Sequence, residues 1–548
     1  MCAVRAFVVR CSPCRVDGVV VAWFTIVVII ARPRACRSAV TFLDVLLSDV
    51  RPTDRDATRR ALAMATVKKT DAVARIAIVG GGISGLALSQ ALRRINDDNA
   101  SSSSSSFHVT LFDTGERACG GRMSSKALDG EDVDHAVQYF TASEPEFQER
   151  FVQGLAASGA LAEWHDSKVG VLTTAKEGGG TFKAFGDGVK RYVGVGGYRA
   201  IADVLSTNAD VVCRPQWVGS MRRRSDDAKW ELASSDNERA KKLGTYDFVV
   251  IAHNGKCAHR LASTAKDDGA GKLISSLTCA FGIRPSQEIE LQRKLLLSSV
   301  WSVMIVLEGA HDFGFEGAHV VGGDTLSWVS NITAKRGNGK VMKVTTKLVL
   351  QSTAEYARDN KVPQEAVPKE KAREVMETLV TEFERSIGCE PNTYLGKVAN
   401  YKCQLWGAAN PLNVANVPCV LDLKSRTAAV GDWCTSDAPC VQTAVMSAYA
   451  LADALNDFYN APHMSAKTLE LDAARVRWSL PRGASSAQGG FPGTSVPAMR
   501  EALPMPVRTG GRGGRGGRGG RGGRGRGGRN AKQPKAPASR AVTNRCML

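Results

Sequence analysis

The chain has little that would mark it as a membrane, metal-binding or secreted protein. Its longest mostly apolar run, Gly18 to Ala31, is 14 residues long with arginines outside it. About 20 residues are needed to cross a bilayer. Stable membrane insertion is therefore not expected, and the run is closer to the core of a signal segment. The 14 cysteines occur singly, apart from Cys11-x-x-Cys14 and the loosely spaced Cys434 and Cys440. Neither pair has partners at zinc spacing, so no metal site is expected, and such thiols suit a reducing compartment. Acidic residues are absent from 508–548, which holds 12 Lys and Arg, and residues 1–69 hold 12 basic against 5 acidic. That leaves 48 basic and 49 acidic residues for 70–507, so the +18 net charge belongs to the two ends of the chain.

Those ends read differently from the body. Residues 1–63 form an arginine-bearing leader that suits an organelle transit peptide only in part, because its apolar core is unusual there. Met64-Ala-Thr-Val-Lys-Lys offers an alternative start, eleven residues before the first strand. The first reading implies a chloroplast or mitochondrion, the second the cytoplasm. At the other end, Arg508 to Arg529 repeats Arg-Gly-Gly. With no apolar side chain to bury it is expected to stay disordered. Its guanidinium groups can meet phosphates, but no aromatic residue supplies a stacking platform, so any RNA contact would be weak, salt-sensitive and blind to sequence. Cys546 is third from the end, so prenylation is not expected.

What the body does have is a phosphate-binding turn. Arg75-Ile-Ala-Ile-Val-Gly80-Gly-Gly82-Ile-Ser84-Gly85-Leu-Ala-Leu is a β-branched run, a glycine turn and an apolar helix pattern. In that order Gly80 allows a sharp exit from the strand, Gly82 lets backbone N–H groups approach a pyrophosphate, and Gly85 lets the helix pack close to the sheet. The helix N-terminus, with Ser84 in its first turn, then faces the anion. The next strand, Phe107-His-Val-Thr-Leu-Phe-Asp113, ends in the acidic residue expected to hold the adenine ribose. Asp113 lies 31 residues past Gly82, more than the usual interval of about 20, and the serine run at 101–106 accounts for the excess.

Two further segments narrow the reading. Arg117-Ala-Cys-Gly120-Gly121-Arg122-Met123, followed by Asp134-His135-Ala-Val-Gln138-Tyr139-Phe, resembles the flavin amine oxidase superfamily and, within it, the renalase-like branch. Thr427-Ala-Ala-Val-Gly431-Asp432-Trp and the apolar helix pattern at 441–455 resemble the strand, Gly-Asp and helix ending of those flavoproteins. The resemblance spans roughly residues 73–457 and implies FAD, expected to be noncovalent because no segment presents a tethering Cys or His next to the expected ring position. Gly120 and Gly121 would let the backbone come close to the cofactor, Arg122 would neutralise phosphate charge, and Met123 would complete that loop. Asp432 would accept a hydrogen bond from the ribityl chain, and the segment 211–218 would meet adenine through Val218. Leu326-Ser-Trp328 and Gln404-Leu-Trp406 match branch positions in order, although Leu405 stands where a basic residue is usual. By the same resemblance Gln138, Tyr139, Trp328 and Trp406 would position the hydride donor. For the tryptophans, packing in the sheet is the alternative. Val193-Gly-Val-Gly-Gly-Tyr-Arg199 is not a second nucleotide site, since Arg199 occupies the place of the third glycine.

The expected fold is α/β: a doubly wound, Rossmann-like FAD domain from 73–140, 191–273 and 426–457. An antiparallel-sheet substrate domain from 141–190 and 274–425 is inserted in it, with a low-structure linker at 458–507 and the basic tail beyond. The expected function is a renalase-like oxidoreductase passing a hydride from a dihydronicotinamide or an amine to flavin N5, with O₂ as acceptor giving H₂O₂. An RNA-binding protein with a structural or vestigial flavin domain is the alternative from another class.

Overall fold

A run of β-branched and small apolar residues, Ala74–Val79 (β1), forms the centre of a parallel sheet because both its faces are covered. Ile76, Ala77 and Ile78 are fully buried. In this computed structural model the described residues are 73–482, apart from 101–103, 176–178, 266–268, 282–292, 337–343 and 462, together with four short strands before residue 31. The Arg-Gly-Gly tail, the rest of the leader and residues 483–507 lie outside them. Met1–Thr70 and Asp71–Leu548 are distinct units. In the first, Arg5–Val9 pairs antiparallel with Ile26–Ile30, and Arg15–Val16 with Val19–Val20.

In the second unit, β1 leads through Gly80–Gly82 into helix α1 (Ile83–Asp98) and on to β2 (Phe107–Phe112), which pairs parallel to β1. Val211–Cys213 (β3) adds to β2, and Phe248–Ile251 (β4) pairs on the other side of β1. Val420–Asp422 (β5) and Thr427–Ala429 (β6) complete the sheet in the order β3-β2-β1-β4-β6-β5, with β5 alone antiparallel. Helix α2 (Val441–Asn460) returns across α1. The apolar stripe of α1, Leu86, Leu88, Ala91 and Leu92, packs in one cluster with Val445, Ala448, Leu451 and Leu455 of α2.

A second sheet of eight strands is built from residues 169–184 and 279–411. Its centre is Leu295–Glu308, buried at every position except Glu308, because each face is covered. Val303, Ile305 and Leu307 pack under helix Lys369–Ile387, while Met304 and Val306 pack against Leu128 and Val133 of a hairpin. The sheet is mostly antiparallel, as expected, with two parallel joints: Val169–Thr174 beside Gly317–Val321, and Cys279–Phe281 beside Leu295–Glu308.

One boundary is corrected. The stretch after 457 was expected to have little structure, yet α2 runs to Asn460 and a further helix covers Ala466–Ala473. Thr468 and Leu471 are buried, Val414 bridges Ser479, and the rings of Trp433 and Trp478 stack at 5.9 Å. Few and widely spaced apolar residues pin this arm, which is why no periodic pattern announces it.

Candidate functional site

The loops at the carboxyl ends of β1, β2, β4 and β6 surround a cavity of about 1000 Å³. This is where ligands bind in open parallel sheets. The three glycines of the first turn act for three different reasons. Gly80 has φ +118°, a conformation an L side chain rarely adopts, and the added methyl would lie 3.0 Å from the Ala252 backbone. Gly85 faces its own turn, so a methyl there would overlap the Gly80 carbonyl oxygen and crowd Ile78. Gly82 is extended (φ −69°, ψ 176°) and a methyl on it would meet nothing within 4 Å. Its missing side chain leaves open space above the start of α1.

A second glycine loop lies directly on the first. Gly120 N–H donates to Gly81 C=O at 2.7 Å, and a methyl on Gly121 would be 3.2 Å from Gly82 Cα. Gly121 therefore lets the two loops approach each other, a requirement that the resemblance had assigned to cofactor approach, whereas Gly120, at φ +134°, is required by its own loop, where a methyl would lie 2.8 Å from the Met123 carbonyl oxygen. Asp113 ties the same knot. Its carboxylate accepts from Gly81 N–H at 2.9 Å and from Gly115 N–H at 2.6 Å. Burial raises its pKa, and those two hydrogen bonds oppose the rise. Beyond β3, Gln216 N–H donates to Asp113 C=O at 2.7 Å, which folds Pro215, Gln216, Trp217 and Val218 along the cavity.

The opposite wall comes from the end of the sheet. Gly431 and Asp432 follow β6, and Cys440, Val441 and Ala444 bring the N-terminus of α2 to the cavity. Cys440 and Thr443 exchange hydrogen bonds as a capping box there. Asp432 is 1 % exposed and meets the Arg122 guanidinium through two bonds of 2.7 and 3.0 Å. Both helix N-termini, with their positive dipole ends, open on one cavity.

Of the four residues expected to hold a donor, only Trp406 lines this cavity. It stands before a bulge in which Gly407–Ala409 oppose Ser299 alone, and its ring stacks on His135 at 5.3 Å. Burial, with Lys126 nearby, drives the His135 pKa down to about 3. The grouping of the other three with Trp406 is corrected. Val137 reaches the cavity, but Gln138 is fully buried and its amide donates to the Asp134 and Ala136 carbonyls. Tyr139 bonds His319 at 2.9 Å, and both pack with Trp328, 4.6 Å from His319, in a buried aromatic cluster under the second sheet. Trp328 is thus a packing residue, the alternative its sequence left open. Gly80, Gly82, Ser84, Asp113, Gly120, Gly121, Arg122, Met123, Val218, Gly431 and Asp432 all line the cavity, and Gly85 supports it from behind. Sequence reasoning missed Trp433, Gln364 and Glu365. Trp433 follows the Gly-Asp pair directly and could have been read with it; the loop carrying Gln364 and Glu365 has no local signal.

A family described as NAD(P)-binding Rossmann-like domain matches residues 78–155. Solved structures similar to this chain include an oxidoreductase from Methanosarcina mazei (11% identity, 69% of this chain and 100% of that one, TM-score 0.44). They also include wild-type putrescine oxidase bound to putrescine (12%, 70% and 98%, TM-score 0.43) and a tetracycline destructase (14%, 72% and 84%, TM-score 0.37). The β1-turn-α1-β2 unit, the strand order and the matched segment define a Rossmann-like dinucleotide-binding domain within a mixed α/β fold.

Proposed function

We propose that this protein is an FAD-dependent oxidoreductase that takes a hydride from a small-molecule donor, with the flavin held noncovalently. The observation that carries the reading is the meeting of two distant segments in one cavity: the glycine turn of 80–85 and, some 350 residues later, the Gly431-Asp432 turn with the α2 N-terminus. A nicotinamide dinucleotide needs the first; a flavin dinucleotide uses both. The space above Gly82 is the part of the cavity that a side chain would fill, and it is where the N–H groups starting α1 would hold the pyrophosphate. Asp113 would take the adenine ribose and the backbone at Val218 the adenine. Gly120, Gly121 and Met123 would border the flavin half, with Asp432 toward its ribityl chain. When bound, FAD supplies a hydride acceptor at N5. The N-terminus of α2 favours negative charge on the pyrimidine edge, and the Trp406 face, backed by neutral His135, is a flat wall against which a planar donor can lie.

Within this class we read the chain as renalase-like, with a dihydronicotinamide or an amine as donor and O₂ as acceptor giving H₂O₂. The motifs at 117–123, 134–140 and 431–432 support that reading. The purified chain should show flavin absorbance at about 380 and 450 nm, released from the protein by acid; a colourless protein that takes up no added FAD would refute the proposal. Stopped-flow mixing with dihydronicotinamides and with amines, followed by bleaching near 450 nm (about one flavin band), identifies the donor. Peroxide formation during turnover tests the acceptor.

A further inference from the structure

The cavity offers an anionic cofactor surprisingly little positive charge. Among its described lining residues the only Lys or Arg is Arg122, against Asp113, Glu116, Glu365 and Asp432. His253 is also there, but burial lowers its pKa, only partly opposed by the contact of its Nδ1 with the Val79 carbonyl oxygen at 3.0 Å. Arg122 in turn is already committed. Nη2 donates to Asp432 Oδ1 at 2.7 Å, and Nη1 to Asp432 Oδ2 at 3.0 Å and to the Ala409 carbonyl at 2.8 Å. The pair joins residues 310 apart in sequence and pins both to the bulged strand of the second sheet.

We propose that Arg122 is a positioning residue for Asp432 and not a ligand of the pyrophosphate, which main-chain N–H groups hold alone. The inference rests on the FAD reading above. A carboxylate only 1 % exposed needs hydrogen-bond donors and an opposite charge beside it, and the guanidinium supplies both. The planar fork of arginine fixes both oxygens at once, which a lysine ammonium cannot do. Arg122 thereby aims Asp432, while the start of α1 presents N–H groups to the phosphates.

ADP carries the adenosine and pyrophosphate but no flavin half, so it separates the two roles. Binding of ADP and of FAD is measured by titration calorimetry on the full chain stripped of cofactor, for the parent and for Arg122→Gln, Arg122→Lys, Asp432→Asn and the Arg122→Gln/Asp432→Asn double variant. The expected result is ADP affinity within about twofold of the parent throughout and FAD affinity weakened about tenfold or more in each single variant, with no further loss in the double. Retained ADP binding also shows that each variant is folded. Parallel loss of ADP and FAD in Arg122→Gln, rescued by Arg122→Lys, would make Arg122 a phosphate ligand and overturn the proposal. Unchanged FAD affinity in Arg122→Gln would overturn it as well. If Arg122→Gln does not fold, Arg122→Lys decides alone: parental FAD affinity overturns the proposal, and selective loss of FAD supports it. A parent that binds ADP but not FAD would instead refute the flavin reading.

Discussion

Gly82 and Gly85 are three residues apart and look interchangeable in the motif, but their surroundings give opposite expectations. Valine at 82 has allowed backbone angles and open space, so Gly82→Val should melt like the cofactor-free parent while losing bound flavin. Alanine at 85 would collide with the Gly80 carbonyl, so Gly85→Ala should lose about 1–3 kcal/mol of stability in the cofactor-free protein. Thermal melts and flavin content of the two variants check both; equal melting temperatures would refute the distinction. Histidine burial gives a pH signature. Burial, with Arg191 adding to it, drives the His319 pKa from 6.5 to about 3. The unfolded chain then binds the extra proton first, so the stability held by neutral His319 is complete above pH 6.5 and drains as pH falls toward about 3. By pH 5 this amounts to about 2 kcal/mol. His319→Gln should therefore lose less stability than the parent between pH 7 and pH 5 (roughly that amount less) in urea titrations. Parallel losses would contradict it.

Elements carry the site by their ends. β1 and β6 stop, α1 and α2 start, and a bulge at 407–409 turns Trp406 toward the cavity. The arm after α2 belongs to this arrangement, because Trp478 stacks on Trp433, which lines the cavity beside Asp432. Trp478→Ala should cost about 1 kcal/mol or more, and removal of the stacked ring from buried Trp433 should change the fluorescence. An unaltered melting temperature and emission spectrum would show that the stack contributes nothing. The glycine turn was legible because its three glycines meet needs set within a few residues: a positive φ at Gly80, open space at Gly82 and contact with the turn itself at Gly85. The arm was not, since one tryptophan and two buried helix residues leave no periodic trace.

At the scale of the whole molecule, charge is segregated. The body between 70 and 507 is close to neutral, while 508–548 carries 12 basic residues and no acidic one. No helix among the described residues is long and apolar enough to cross a membrane. If the tail is an accessory, deleting 508–548 should leave flavin content and reduction rates unchanged while abolishing salt-sensitive retention on RNA. Loss of flavin reduction together with RNA retention would refute that independence.

The residues themselves determined what depends on neighbours within a few positions. Gly80, Gly82 and Gly85 with Asp113 specify a strand, a helix start that opens on the cavity and a Rossmann-like unit, and Gly431-Asp432 marks its far wall. Tertiary structure alone decided which side chains meet. It paired Arg122 with Asp432 across 310 positions, placed Gly120 and Gly121 against the first turn, and kept Trp406 at the cavity while Gln138, Tyr139 and Trp328 went to the core. The reason is physical. A backbone requirement is written in the residue that meets it, whereas an aromatic ring or an arginine fork satisfies a core, a partner charge or a ligand equally well until packing chooses.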